Sequence, residues 1–182
     1  MRLARLALAL GFVLPAAVQA QDLTGTLQKV KETGTVTMGV RDSSVPFSYL
    51  DDKQQPVGFA IDVCLKVVDA VKARLALPGL KVVMTPVTSA TRIPLLANGT
   101  IDLECGSTTN NAARQQQVAF SNTYFLTASR FVSKAAAGIT GIDGLKGKTV
   151  VSTSGTTNIV QLNAANTARA LNLNILTAKD HA

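Results

Sequence analysis

Apolar residues recur at helical spacing most clearly at Ile61, Cys64, Leu65, Val68, Val71 and Leu75, with Asp62, Lys66, Asp69 and Lys72 on other faces. The spacing predicts an amphipathic helix that opens after Gly58 and is terminated by Pro78-Gly79. Upstream, Leu27 and Val30 mark a short helix within Leu23 to Lys31, closed by Gly34, and Thr35 to Val40 alternates as a strand. Further strands are expected at Leu80 to Val87, Ile101 to Cys105, Tyr124 to Ser133, Lys148 to Ser152 and Asn174 to Thr177. Between them lie short helices from Arg92 to Ala97 and around Arg114, the latter capped by Asn110 or Asn111, and a longer one from Asn158 to Ala170. Such alternation predicts an α/β fold with a parallel or mixed sheet covered by helices.

The polar turns that follow these strands carry Arg41, Ser89, Ser107 and Thr156. In open α/β sheets ligands bind beyond the carboxyl ends of the strands, so four turns far apart in sequence can converge on one cleft. The glycine-rich run Ala135 to Gly144 reads as an exposed connection into a second α/β pattern. That pattern stops after one βαβ unit, which cannot bury both faces of a sheet, and the chain is expected to be incomplete.

Residues 1–20, MRLARLALALGFVLPAAVQA, combine a basic start, a short apolar stretch, Pro15 and small residues ending at Ala20. This three-part pattern predicts a cleavable signal peptide and export, and the apolar stretch is shorter than the ~20 residues of a membrane span. Without Arg2 and Arg5 the formal charge falls from +7 to +5. Composition, at 47% hydrophobic and 16% charged residues, excludes general disorder. There is no clustered basic run and few aromatic residues for base stacking, so no nucleic-acid partner is expected. Export would place Cys64 and Cys105 in an oxidising compartment; a disulfide and two buried free thiols both account for their positions. One His and no CxxC give no expectation of a metal site, and no cofactor motif is present.

Four segments carry a more specific signal: RDSSVPFSY (Arg41 to Tyr49), TSATRIPLLANGTIDLECGSTTNNAARQ (Thr88 to Gln115), LKGKTVVSTSGTT (Leu145 to Thr157) and AKDH (Ala178 to His181). With Gly58-Phe59-Ala60-Ile61-Asp62-Val63, they resemble the periplasmic solute-binding proteins of polar amino-acid ABC transporters, nearest the glutamate/aspartate-binding group. The resemblance implies a two-lobed periplasmic-binding-protein-like fold, the first lobe mostly present and the second incomplete. Residues 21–130 would form the ligand-capture lobe, lacking its C-terminal return, and 131–182 the start of the second lobe.

It further implies capture of L-glutamate or L-aspartate by hinge closure, in a periplasmic protein that acts as a monomer and delivers to an inner-membrane ABC permease. Arg114 would hold the α-carboxylate, helped by Thr109 and Thr157, and Ser107 would contact the α-ammonium or α-carboxylate. Arg41, Ser89, Arg92 and His181 would receive the side-chain carboxylate. An Asp that pairs with the ammonium in the family would lie beyond residue 182, so the chain as given is expected to bind weakly or not at all.

Arginine suits carboxylates through its planar fork and permanent charge, and buried carboxylates need such partners. Three arginines against a ligand of net charge −1 leave positive excess, which nearby protein carboxylates are expected to balance. Cyclohexadienyl dehydratases resemble the same fold, so an enzyme is the rival reading. Its candidate acids, Asp102 and Glu104, have no partner base nearby in sequence, and no GxSxG, Walker or HExxH motif occurs. A sensing module would need a fused output domain, and a non-functional fragment of the binding protein is the remaining alternative.

Overall fold

Val36, Met38 and Val40 point to one side of strand β1 (Thr35–Val40) and are buried there. The computed structural model describes residues 23–181; the signal-peptide expectation for 1–20 lies outside the described residues. Strand β1 is central in a parallel three-stranded sheet ordered β5-β1-β6, with β5 (Lys81–Pro86) and β6 (Leu103–Cys105) beside it. Its register sets Val40 opposite Pro86 on one side and Cys105 on the other, so three strands end together. Helix α1 (Gly25–Thr33) precedes β1, and Gly34 ends it in the left-handed region at φ 63°, its N–H donating to Val30 O.

Helix α2 (Phe59–Leu75) buries Ala60, Ile61, Cys64, Val68 and Leu75 against the sheet, the face that its spacing predicts. With Val30, Val36, Met38, Val40, Leu80 and Cys105 these side chains make up the hydrophobic core. Full burial of each large aliphatic side chain is worth about 1.5–3 kcal/mol, and this is what fixes the helix to the sheet. Gly58, at φ 132°, lets the chain enter α2 tightly: a Cβ there would lie 2.5 Å from Phe47 O. Cys64 and Cys105 form a disulfide that ties α2 to β6 with Cα atoms 6.1 Å apart, which decides between the two readings of the cysteines.

A small antiparallel sheet, β2 (Ser43–Ser44), β3 (Ser48–Leu50) and β4 (Pro56–Val57), occupies the loop between β1 and α2. Helices α3 (Arg92–Ala97) and α4 (Ala112–Gln115) follow β5 and β6. Strands β7 (Thr149–Thr153) and β8 (Asn174–Ala178) pair in parallel across helix α5 (Thr157–Ala168). Leu145, Leu162 and Leu171 are buried around this unit, whereas Val151, Val160 and Leu176 are exposed.

The expected strand at Tyr124 to Ser133 is not formed: residues 119–134 run without regular structure. Among the described residues no strand lies alongside to complete a ladder, and Leu126 and Val132 are 87% and 98% exposed. Aromatic packing anchors the start of this segment, with Phe125 edge-on to Phe47 at 4.8 Å and Tyr124 tilted against Phe59 at 5.8 Å.

Candidate functional site

Each parallel strand delivers its polar turn to the same end of the molecule: Arg41 after β1, Ser89 after β5, Gly106 and Ser107 after β6, Ser154 to Thr157 after β7, and Asp180 with His181 after β8. Arg41 is completely buried. Its backbone is clamped by Ser48, whose Oγ accepts from Arg41 N at 2.8 Å. One guanidinium nitrogen, Nη2, pairs with the Asp180 carboxylate, while Nε and Nη1 have no partner.

Arg92 opens α3 and is 2% exposed, again with Nε and Nη1 unpartnered. Burial pushes its pKa down to about 10, opposed by the nearby Glu104 carboxylate and reinforced by the charges of Arg41 and Arg114. It is charged at neutral pH. Ser89 is 3% exposed and its Oγ also lacks a partner. It does not cap α3: the reciprocal bonds there join Thr88 and Thr91, with Thr88 N donating to Thr91 Oγ1 at 2.9 Å and Thr91 N to Thr88 Oγ1 at 3.2 Å. A buried donor without an acceptor costs about 1–3 kcal/mol, more when charged, so the unpaired donors of Arg41, Arg92 and Ser89 together favour an anionic acceptor.

Arg114 is positioned by Asn111, whose side chain accepts from Arg114 N at 3.0 Å and caps α4. Its Nη1 donates to Thr109 O at 2.8 Å and its Nη2 reaches Gly155 O, in the turn after β7, at 3.1 Å. Beside it Thr109 Oγ1 and Thr157 Oγ1 stand 3.4 Å apart. The turn itself is closed by Thr156, whose Oγ1 donates to Thr153 O and accepts from Ile159 N as the cap of α5. Ser107 Oγ donates to Ser44 Oγ at 3.4 Å, and Ser44 Oγ lies 2.9 Å from His181 Nδ1. Burial and the neighbouring Arg41 lower the His181 pKa, Asp180 opposing them.

Every sequence-expected residue therefore lies at the same end of the strands, in three groups. Arg41, Ser89 and Arg92 supply buried, unpaired donors; Arg114, Thr109 and Thr157 bridge the β6 and β7 turns; Ser107 and His181 meet through Ser44. The sequence reading did not anticipate Asp180, Ser44 or Tyr124, whose Oη donates to Gly106 O at 2.9 Å. Their signal was present only as adjacency to expected residues. The two candidate acids separate: Asp102 pairs with Lys29 at 2.9 Å and accepts from Thr37 N, away from the arginines, whereas Glu104 faces them. A cavity of about 320 Å³ lies elsewhere, between Ser129–Phe131, β7 and α5.

A family model of bacterial extracellular solute-binding proteins matches residues 36–180. The chain belongs to the bacterial extracellular solute-binding proteins, family 3. Among relatives in this solute-binding family, it is 55% identical over 170 residues to the L-glutamate/L-aspartate-binding protein of Pseudomonas aeruginosa, which covers 93% of the chain and 56% of that protein. It is 49% identical over 177 residues to the glutamate/aspartate import solute-binding protein of Escherichia coli K12, covering 97% of the chain and 59% of that protein. The chain thus spans a little over half the length of these relatives.

Among solved structures, the solute receptor for L-cysteine of Neisseria gonorrhoeae superimposes with a TM-score of 0.69 at 26% identity, over 86% of the chain and 61% of the receptor. An ancestral amino acid-binding protein, a precursor of cyclohexadienyl dehydratase, gives 0.69 at 28% identity, over 86% of the chain and 66% of that protein. The fold of the solute-binding chain is accordingly the mixed α/β periplasmic-binding-protein type, present in part.

Proposed function

We propose that this chain carries the capture site for L-glutamate and L-aspartate in a periplasmic binding protein that supplies an inner-membrane ABC permease. The observation that carries the reading is the pair of fully buried arginines, Arg41 and Arg92, with unpaired Nε and Nη1 groups next to the unpaired Ser89 hydroxyl. A carboxylate is the chemical complement of such donors, because it accepts in the plane of the guanidinium fork. Arg114, with Thr109 and Thr157, receives the α-carboxylate at the junction of the two lobes, residues 21–130 and 131–182. Ser107 and His181 complete the two ends of the site. Two well-separated carboxylates explain why arginines come both from the β1 and β5 turns and from α4.

The names of the Pseudomonas aeruginosa and Escherichia coli relatives support the same ligand class. Capture begins on the first lobe and is completed when the β7 turn closes on Arg114. Closure is favoured by contacts made in the ligand-bound arrangement and not in the open one. The protein acts as a monomer.

The test is a backbone-amide NMR titration of the 182-residue protein with L-glutamate, L-aspartate, L-glutamine and L-arginine, a method that reads weak as well as tight binding. The expected result is saturable shifts in the turns carrying Arg41, Ser89, Arg92 and Ser107 with the two acidic amino acids, and stronger binding of these than of the other two. Preference for arginine or glutamine over the two acidic amino acids would overturn the proposal.

A further inference from the structure

Cys105 and Leu103 of β6 belong to the core side of the sheet, so the residue between them, Glu104, projects to the opposite face, next to Gly39 of β1. That face leads to the arginines. Glu104 Oε1 is buried and accepts a hydrogen bond from no described residue. It passes over Gly106, where a Cβ would lie 2.5 Å from Glu104 Oε1 and 3.0 Å from Arg41 Cγ. The glycine thus makes room for a carboxylate and an arginine stem to run side by side.

From this placement we infer that Glu104 is a specificity-determining positioning residue, a counter-charge to the arginines that favours an amino acid over a dicarboxylate lacking the ammonium. The inference rests on the proposed function. Among the described residues the charged groups in the cleft are the guanidiniums of Arg41, Arg92 and Arg114 and the carboxylates of Glu104 and Asp180. Among these groups Glu104 offsets one of the three guanidinium charges, so the pull on a second ligand carboxylate is weaker than the arginines alone would exert and a ligand ammonium is tolerated beside them. Without Glu104 the same groups would carry one more positive charge and would shift preference toward a dicarboxylate that has no ammonium. Glu104 acts through the field at the arginines and need not touch the ligand.

The groups facing Glu104 are Arg92 on α3, Arg41 after β1, Arg114 on α4 and Tyr124 from the irregular segment. Burial raises the Glu104 pKa and the arginines oppose that rise, Arg92 most strongly. The ionised share of Glu104, and with it the effect on selectivity, therefore grows as pH rises.

The test compares L-glutamate with glutarate, the same dicarboxylate lacking the ammonium, by NMR titration of wild type, Glu104→Gln and Glu104→Asp. In Glu104→Gln the ratio of the glutarate to the glutamate dissociation constant should fall at least about tenfold, the value for one charge about 12 Å from the ligand ammonium at an effective dielectric of ~20. The fall should be larger at about pH 9 than at about pH 5, while Glu104→Asp keeps the wild-type ratio. General damage to the site would weaken both ligands alike; a ratio changed less than about twofold would overturn the inference.

A second measurement needs no ligand. In a thermal-unfolding cycle, Glu104→Gln should be better tolerated in an Arg92→Gln background than in wild type, because the two charges are coupled. Additive effects would overturn the coupling. Wild-type preference for a ligand without carboxylates refutes the proposed function instead, and the unfolding cycle still decides whether Glu104 is coupled to Arg92.

Discussion

Gly155→Ala tests whether contact between the β7 turn and the loop after β5 is needed for ligand capture. Gly155 has φ 71°, and a Cβ on it would lie 2.5 Å from Ala90 Cα, 2.6 Å from Ser89 O and 2.8 Å from Ala90 N. All three are backbone atoms, so no side chain can swing aside. Restoring van der Waals contact requires the turn to retreat by about 1 Å. That movement stretches the bond from Arg114 Nη2 to Gly155 O, now 3.1 Å, and parts Thr109 from Thr157. The left-handed backbone alone costs a non-glycine residue about 1–2 kcal/mol. Losing a charged hydrogen bond adds about 1.5–3 kcal/mol.

The two contributions are separable, because Gly99 has φ 76° and nothing within 4 Å of its would-be Cβ. Gly99→Ala therefore carries the backbone penalty without the clash. Urea unfolding should show both variants destabilised by about 1–2 kcal/mol from the backbone alone. Only Gly155→Ala should also lose affinity for L-glutamate, by about 30-fold for 2 kcal/mol. If Gly155→Ala binds L-glutamate as tightly as Gly99→Ala does, the turn is not part of the closed site and the reasoning fails.

Four further outcomes are expected. Reducing the Cys64–Cys105 disulfide should cost about 4 kcal/mol, the chain-entropy value for a loop of this size, given the sequence separation of 41. Thermal unfolding with and without a phosphine reductant should show the midpoint lowered by roughly 10 °C. Arg92→Lys keeps the charge but loses the fork, and calorimetry should show L-glutamate affinity reduced about tenfold or more. Asp102→Ala leaves Thr37 N–H without that acceptor and Lys29 with Gly99 O alone; denaturant unfolding should reveal a loss of about 1–3 kcal/mol with ligand preference unchanged. Glu104 has a folded-state pKa raised above its ordinary 4.5. Its contribution to stability is therefore fully present below about pH 4.5 and is lost as pH rises through the folded-state value. A pH series of unfolding free energies should show wild type declining relative to Glu104→Gln over that window, and a rise instead would contradict the assignment.

Elements governed by local patterning were readable from the sequence. The helical face at Ile61, Cys64 and Val68, the strand Thr35–Val40 and the βαβ unit around α5 appear within a few residues of their expected bounds. Asn111 caps α4 by the short-range bond its residue type favours. The segment Tyr124 to Ser133 failed for the opposite reason. Its apolar content satisfies strand propensity, but a strand exists only when another closes its hydrogen bonds, and that partner is a property of distant sequence. The disulfide was undecidable for the same cause, since 41 intervening residues fix the approach of Cys64 to Cys105 through α2 and the sheet.

The candidate site shows the same division between residue type and environment. Arg41, Arg92 and Arg114 were identified by segment, yet what distinguishes them is burial, which residue type opposes. Arginine is among the side chains least often fully buried, so two guanidiniums at 0% and 2% exposure need a compensating reason. Local bonds from Nη1 to Thr109 O and from Nη2 to Gly155 O hold Arg114 in place. They do not explain Arg41 and Arg92, each left with two unpaired nitrogens. Glu104 was weighed only as an acid for a rival enzyme, because a one-dimensional reading cannot tell which face of β6 meets the arginines. The alternation that sends Cys105 into the core sends Glu104 into the cleft. A single strand thereby supplies both the covalent tie that holds the sheet to α2 and the charge that tunes the site above it.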